Sequence, residues 1–228
     1  MTKKTQPDDL PIDETLPSIL PKGTPHYWEE AKKHLATVDP VFNSIFQRFS
    51  IDDPPLQSKG DLFYTLANAI IGQQISAAAA AAIWQRLVTH WQGEIVYQRA
   101  LESTHDELRA LGLSSRKVEY IQGVAQSMPT LLTFPWNKMT DDEVRETLCS
   151  LRGIGPWTAE MVLIFTLLRP NILPLGDIGV IRAVENQYAQ GQKLTKVEVA
   201  KIAEKWRPFQ TVAVWYLWRT IDAEPVEY

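Results

Sequence analysis

Leu151-Arg152-Gly153-Ile154-Gly155-Pro156-Trp157-Thr158-Ala159 reads as a sharp turn between two helices. Upstream, the polar segment from Thr140 to Cys149 opens with Thr140-Asp141-Asp142-Glu143. That is the spacing of a capping box, where threonine and glutamate satisfy each other's backbone N–H groups. Downstream, Thr158 to Leu168 is apolar. Two glycines one residue apart allow a tight turn whose amides face outward for want of side chains. Those amides, with the start of the next helix, suit a phosphate group. Gly-x-Gly is common, however, and an ordinary helix–helix turn satisfies the spacing equally well.

Helical spacing continues on both sides of the turn. From Tyr27 onward the apolar positions recur at three and four residues, as in Trp28, Ala31, Leu35 and Val38. Val41, Ile45 and Phe49 follow after Asp39-Pro40. Two more capping boxes stand at Thr104-His105-Asp106-Glu107 and Thr195-Lys196-Val197-Glu198. Ser76 is placed to cap an alanine-rich helix with Ile83, Trp84, Leu87, Val88 and Trp91 on one face. No stretch alternates with period two, and no hairpin dipeptide separates apolar runs. The predicted fold class is all-α, with about ten helices.

Composition narrows the function. Hydrophobic residues make up 45% of the 228 residues, enough for a sizeable core. The formal net charge of −4 and pI near 5.6 count against a nucleic-acid binder. Duplex binding nevertheless needs only a local positive face, to which helix N-termini and backbone amides contribute. A single cysteine, Cys149, excludes a disulfide framework and a four-cysteine iron–sulfur cluster. The runs Ala77 to Trp84 and Met161 to Phe165 fall far short of the ~20 residues that cross a bilayer. No secretory leader is evident at the N-terminus. The expectation is a soluble monomer without membrane association, cytoplasmic in a bacterium or nuclear in a eukaryote. Residues 1–25, interrupted by five prolines, are expected to form a flexible tail or strap.

Taken together, four segments resemble the helix-hairpin-helix DNA glycosylases. Leu-x-Gly-Ile-Gly-x-x-Thr-Ala matches their hairpin, and Leu173-Pro174-Leu175-Gly176-Asp177-Ile178-Gly179 stands where their catalytic aspartate loop is expected. Ala69-Ile70-Ile71-Gly72-Gln73-Gln74-Ile75-Ser76 is similar to the loop they push into DNA. Lys205-Trp206-Arg207-Pro208-Phe209 through Trp218-Arg219 resembles the closing helix of the 3-methyladenine glycosylase II (AlkA-like) branch, in a compact form without the β-rich N-terminal domain. The hairpin alone is moderately specific; the four segments in this order are highly specific.

The resemblance implies two helical lobes with an active-site cleft between them. Residues 26–62 and about 190–228 would build one lobe, and 63–189 the other. Asp177 would be catalytic, its carboxylate stabilising positive charge on the deoxyribose as the N-glycosidic bond breaks. It could equally be only the N-cap of the helix Ile178 to Tyr188, and the roles are compatible, because a helix start favours an ionised carboxylate.

Relatives that also cut the strand carry a Schiff-base lysine two residues after the second hairpin glycine. Trp157 stands there, so hydrolysis without lyase activity is expected. Trp157 and Trp218 match aromatic pocket positions suited to an electron-poor alkylated base, although core packing would also explain them. Met161 replaces a pocket tyrosine, which leaves the breadth of base recognition open.

Gln74 matches the plug that fills the gap left by a flipped base, with Gln73 and Ser76 beside it. Gly153, Ile154, Gly155 and Thr158 would grip the DNA backbone. The resemblance further implies a sodium or potassium ion on the main-chain carbonyls of Cys149, Leu151 and Ile154, hard oxygen ligands. No cofactor is expected for the chemistry itself. Arg116 and Lys117 are placed near a turn, as solvated residues or phosphate contacts. The implied activity is removal of alkylated purines, such as 3-methyladenine and 7-methylguanine, from double-stranded DNA in base excision repair. A passive DNA-binding hairpin module, or a glycosylase for deaminated or other damaged bases, remains open on sequence alone.

Overall fold

Helical periodicity carries through to the three-dimensional structure, a computed structural model that describes residues 20–49 and 55–221. The remainder of the chain, including most of the expected N-terminal tail and positions 222–228, lies outside the described residues. The helices are α1 (Trp28–Val38), α2 (Pro40–Arg48), α3 (Leu62–Gly72), α4 (Ala77–His90), α5 (Tyr97–Glu102) and α6 (His105–Ala110). They continue as α7 (Ser115–Leu131), α8 (Asp141–Cys149), α9 (Pro156–Phe165), α10 (Ile178–Tyr188), α11 (Lys196–Ala203) and α12 (Gln210–Arg219). A 3-10 turn at Glu204–Trp206 links the last two. Among the described residues there is no strand; one isolated bridge pairs Gly23 with Ser58. The fold is all-α, and no described helix is long and apolar enough to cross a membrane.

Local signals set the helix starts. All three capping boxes form, at Thr104, Thr140 and Thr195, each with its glutamate bonded back to the threonine N–H. Ser76 accepts from Ala79 N–H and starts α4. Asp39 does the same for α2, with Pro40 at the first helical position, where its missing N–H costs nothing. The twelve α-helices among the described residues exceed the expected ten or so; α5 and α6 are only six residues each, and α5 has no side-chain cap to announce it. Helices that short lie below the window in which apolar periodicity is recognisable.

The core is organised by α3 and α9, whose buried residues go round the whole helix rather than along one stripe. They pack against each other, α7 lies on α3, and α8 lies on α9. Each fully buried leucine, isoleucine or phenylalanine there contributes roughly 1.5–3 kcal/mol. A second group joins the chain ends: α1 packs on α2, α12 and the 3-10 turn, while α10 packs on α11 and α12. Phe165 at the end of α9 links the groups, edge-on to Trp215 and stacked on Trp218 at 5.8 Å. Polar bonds cross the same boundary, from Tyr27 Oη to the Leu168 carbonyl (2.8 Å) and from Thr211 Oγ1 to the Arg169 carbonyl (2.6 Å).

Candidate active site

The hairpin turn after α8 needs glycine at one position. Gly153 has φ +89°, and a Cβ there would lie 2.2 Å from the Tyr120 ring. Gly155 has an ordinary negative φ, and a Cβ there would meet nothing within 4 Å. Its value is openness: no side-chain cap bond closes the start of α9. Ile154 pegs the turn into the core, and its N–H donates to the Leu151 carbonyl at 3.1 Å. Thr158 is buried, so its hydroxyl does not face an approaching DNA backbone.

That hydroxyl meets Gln73 instead. Gln73 caps the C-terminus of α3, and its side-chain amide donates to Gly153 O and Thr158 Oγ1, both at 3.0 Å. Gln73 is therefore tied to the hairpin and is not a side chain available for insertion. Gln74 is exposed and sits in the left-handed region at φ +58°, followed by the partly exposed Ile75. Ser76 is occupied in capping α4. Lys117 is partly buried, and its ammonium donates to the Ile71 carbonyl at 2.7 Å in the last turn of α3, a structural tie beyond the solvated or phosphate-contacting roles expected. Burial pushes that ammonium below its ordinary value.

Asp177 accepts three N–H groups. As the N-cap of α10 it accepts from Val180 N–H at Oδ1 (2.8 Å). Trp218 Nε1 donates to the same oxygen at 3.1 Å, and Trp157 Nε1 donates to Oδ2 at 2.7 Å. Gly179 makes room for this arrangement, since a Cβ there would lie 2.9 Å from Oδ1. The N-cap role expected from sequence is present, and it leaves Oδ2 to the Trp157 N–H.

Both tryptophans thus hold the carboxylate by their ring N–H. Trp157 is half-buried, whereas Trp218 is 4% exposed and covered on one side by Phe165. Met161 is 0% exposed. It lies inside the α9 core, not on an open pocket wall, because α9 buries nearly its whole circumference.

Beside Asp177 opens a cleft of about 310 Å³ whose walls include Ile178, Ile181, Arg182 and Lys196. Lys193, at its edge, is bonded to the buried Glu185 at 3.0 Å. Arg182 and Lys196 make no ion pair among the described residues, so this wall is locally positive on a chain of net charge −4. Arg152, by contrast, pairs with Glu119 at 2.9 Å.

Sequence reading missed Glu160, which stands one turn after Trp157 on α9. Burial pushes its carboxyl up to about 7; Arg145 and Lys196 pull it down, and the charge of Asp177 adds to the rise. Near neutrality it is therefore about half protonated beside Asp177. A carboxyl titrating near 7 in the fold, against 4.5 as its ordinary value, lowers stability as pH rises through that interval. Glu160→Gln is therefore expected to stabilise the protein by up to about 3 kcal/mol at pH 8 and not at pH 4. Urea unfolding at the two pH values checks this. An equal gain at both would remove ionisation as the cause.

Comparison with known proteins identifies the family. Residues 67–208 match the family described as HhH-GPD superfamily base excision DNA repair protein. The DNA-3-methyladenine glycosylase of Bacillus subtilis strain 168 is 32% identical over 71% of this chain and 57% of its own length. DNA-3-methyladenine glycosylase 1 of Schizosaccharomyces pombe is 31% identical, over 71% of this chain and 73% of its own length. The solved structure of S. pombe 3-methyladenine DNA glycosylase (Mag1) in complex with abasic DNA superposes with a TM-score of 0.76 at 28% identity. It covers 84% of this chain and 96% of that one. The chain spans 57% and 62% of the length of the two B. subtilis relatives it matches. With the family match running over residues 67–208, which include the loop after α3, the hairpin and Asp177, the chain belongs to the HhH-GPD superfamily of base excision DNA repair proteins.

Proposed function

We propose that the protein removes alkylated purines, 3-methyladenine and 7-methylguanine among them, from double-stranded DNA by hydrolysing the N-glycosidic bond. The observation that carries this reading is Asp177, oriented by two indole N–H groups and a backbone N–H beside an open cleft. A base must leave the stack before it can be released. As its bond to the sugar breaks, positive charge grows on the deoxyribose, and a carboxylate held in place stabilises it without reorganising. Water then adds to the sugar and an abasic site remains. The relatives named for 3-methyladenine support the substrate class, and a half-buried tryptophan at the carboxylate is a residue type suited to an electron-poor base.

Hydrolysis without strand cleavage follows from Trp157. Its ring N–H is committed to Asp177, and an indole forms no imine. The uncapped start of α9 and the cations Arg182 and Lys196 offer separate grips for phosphate. The carbonyls of Cys149, Leu151 and Ile154 would hold sodium or potassium, which would bridge the turn to a phosphate. Neutral oxygens fit such an ion, and the Leu151 carbonyl retains a lone pair beyond the one used by Ile154 N–H.

The test is release of free bases from methylated duplex DNA, measured by chromatography. Release of 3-methyladenine and 7-methylguanine without strand breakage is expected. Binding with no release would reduce the protein to a passive hairpin module. A break formed without heat or base would overturn the hydrolytic reading and turn attention to Lys196, the cleft's unpaired amine among the described residues.

A further inference from the structure

The side chain of Gln73 joins two elements far apart in sequence. Its amide spans the hairpin turn, with one bond to Gly153 O at the bend and one to Thr158 Oγ1 in the first turn of α9. The turn proposed above to seat a phosphate lies between those two acceptors. In the other direction, Gln73 is the residue immediately before Gln74. Gln74 holds φ +58°, a conformation that a non-glycine residue keeps only where its surroundings over-determine it.

Three anchors supply that constraint. The Gln73 N–H closes α3 on the Ala69 and Ile70 carbonyls, Lys117 fixes the Ile71 carbonyl, and Ser76 begins α4. A single helix backs both elements: on α7, Lys117 holds the end of α3, while Tyr120, one turn on, lies against Gly153.

Resting on the glycosylase reading above, we infer that Gln73 is a positioning residue that couples the hairpin's grip on the DNA backbone to the setting of Gln74 for insertion. When phosphate seats on the hairpin, the turn and the first turn of α9 are fixed. The Gln73 amide passes that constraint to the adjacent backbone and so presents the Gln74 side chain. Both acceptors of the amide are uncharged oxygens, so the bonds require a donor at that place. Methionine keeps the length and apolar volume of glutamine but donates nothing.

The experiment uses the full chain and a duplex carrying a tetrahydrofuran abasic analogue opposite 2-aminopurine, whose fluorescence reports filling of the gap. Undamaged duplex of the same sequence measures the backbone grip alone, and urea unfolding measures stability. Gln73→Met is expected to lower the insertion signal or its rate at least tenfold, with affinity for undamaged duplex changed less than about threefold. Thr158→Val removes one of the two acceptors and should show a smaller loss in the same direction. The double variant should be no worse than Gln73→Met, which already removes the bond that Thr158→Val removes.

Insertion by Gln73→Met at the wild-type rate would overturn the inference, as would a parallel loss of undamaged binding. If Gln73→Met does not fold, wild-type insertion by Thr158→Val overturns it. Failure of the glycosylase reading looks different: wild type itself would give no insertion signal and release no bases.

Discussion

Asp177→Asn is expected to lower kcat/KM for base release by about three orders of magnitude, with duplex affinity kept within a few-fold. The substitution removes the negative charge that opposes the growing cation on the sugar. Losing one preorganised electrostatic group of this kind costs on the order of 10²–10³ in rate, and here the group is a full charge. It also disturbs the site locally. Three N–H groups converge on the two oxygens, and an asparagine NH2 would face one of those donors with no lone pair to offer. Single-turnover release of methylated bases, with binding measured separately on undamaged duplex, checks the expectation. Full activity in Asp177→Asn would show that another group carries the chemistry even if the reaction is as proposed.

Asp39→Ala is expected to destabilise the fold by about 3–5 kcal/mol, a large part of the 5–15 kcal/mol usual for a domain. Asp39 is 1% exposed. It accepts from Val41 N–H (3.1 Å), Tyr188 Oη (2.6 Å), Trp206 Nε1 (2.8 Å) and Lys205 Nζ (3.0 Å). One carboxylate thereby ties the start of α2 to α10 and to the 3-10 turn before α12. Truncation leaves a hydroxyl and an indole N–H without partners, and their desolvation is not recovered.

Burial alone would raise the Asp39 carboxyl. The four bonds outweigh it and hold the group below the ordinary carboxylate range. The stabilisation is therefore present above pH ~4 and lost as pH falls through the folded value. Urea unfolding at pH 7 should show the full difference between Asp39→Ala and wild type, narrowing in acid. A loss below about 1 kcal/mol at pH 7 would show that the chain ends are held by packing and not by this hub.

The two substitutions separate what a residue does at the site from what it does for the fold, and sequence reading served the two unequally. Helix starts were legible because a cap is settled within a few residues: Thr104, Thr140 and Thr195 each carry their partner three positions on. The hairpin turn was legible for the same reason, although only Gly153 needs glycine for its backbone and Gly155 contributes an open amide surface instead. Asp177 was legible as an N-cap and, through the resemblance, as a site residue.

Its partners were not, because they stand 20 and 41 positions away and meet it only when α9, α10 and α12 pack together. Gln73 read as a loop side chain until the fold brought Gly153 and Thr158, 80 and 85 positions distant, against its amide. Met161 read as a pocket wall until the full burial of α9 enclosed it. Glu160 could not have been found at all, since its shift comes mainly from burial, and burial belongs to the assembled core. Near neighbours and spacing were enough to set the helices, the turn at Gly153 and the family. Which side chains hold Asp177 and which hold the hairpin emerged on folding, because hydrogen bonds and desolvation depend on distances in space that residue order does not fix.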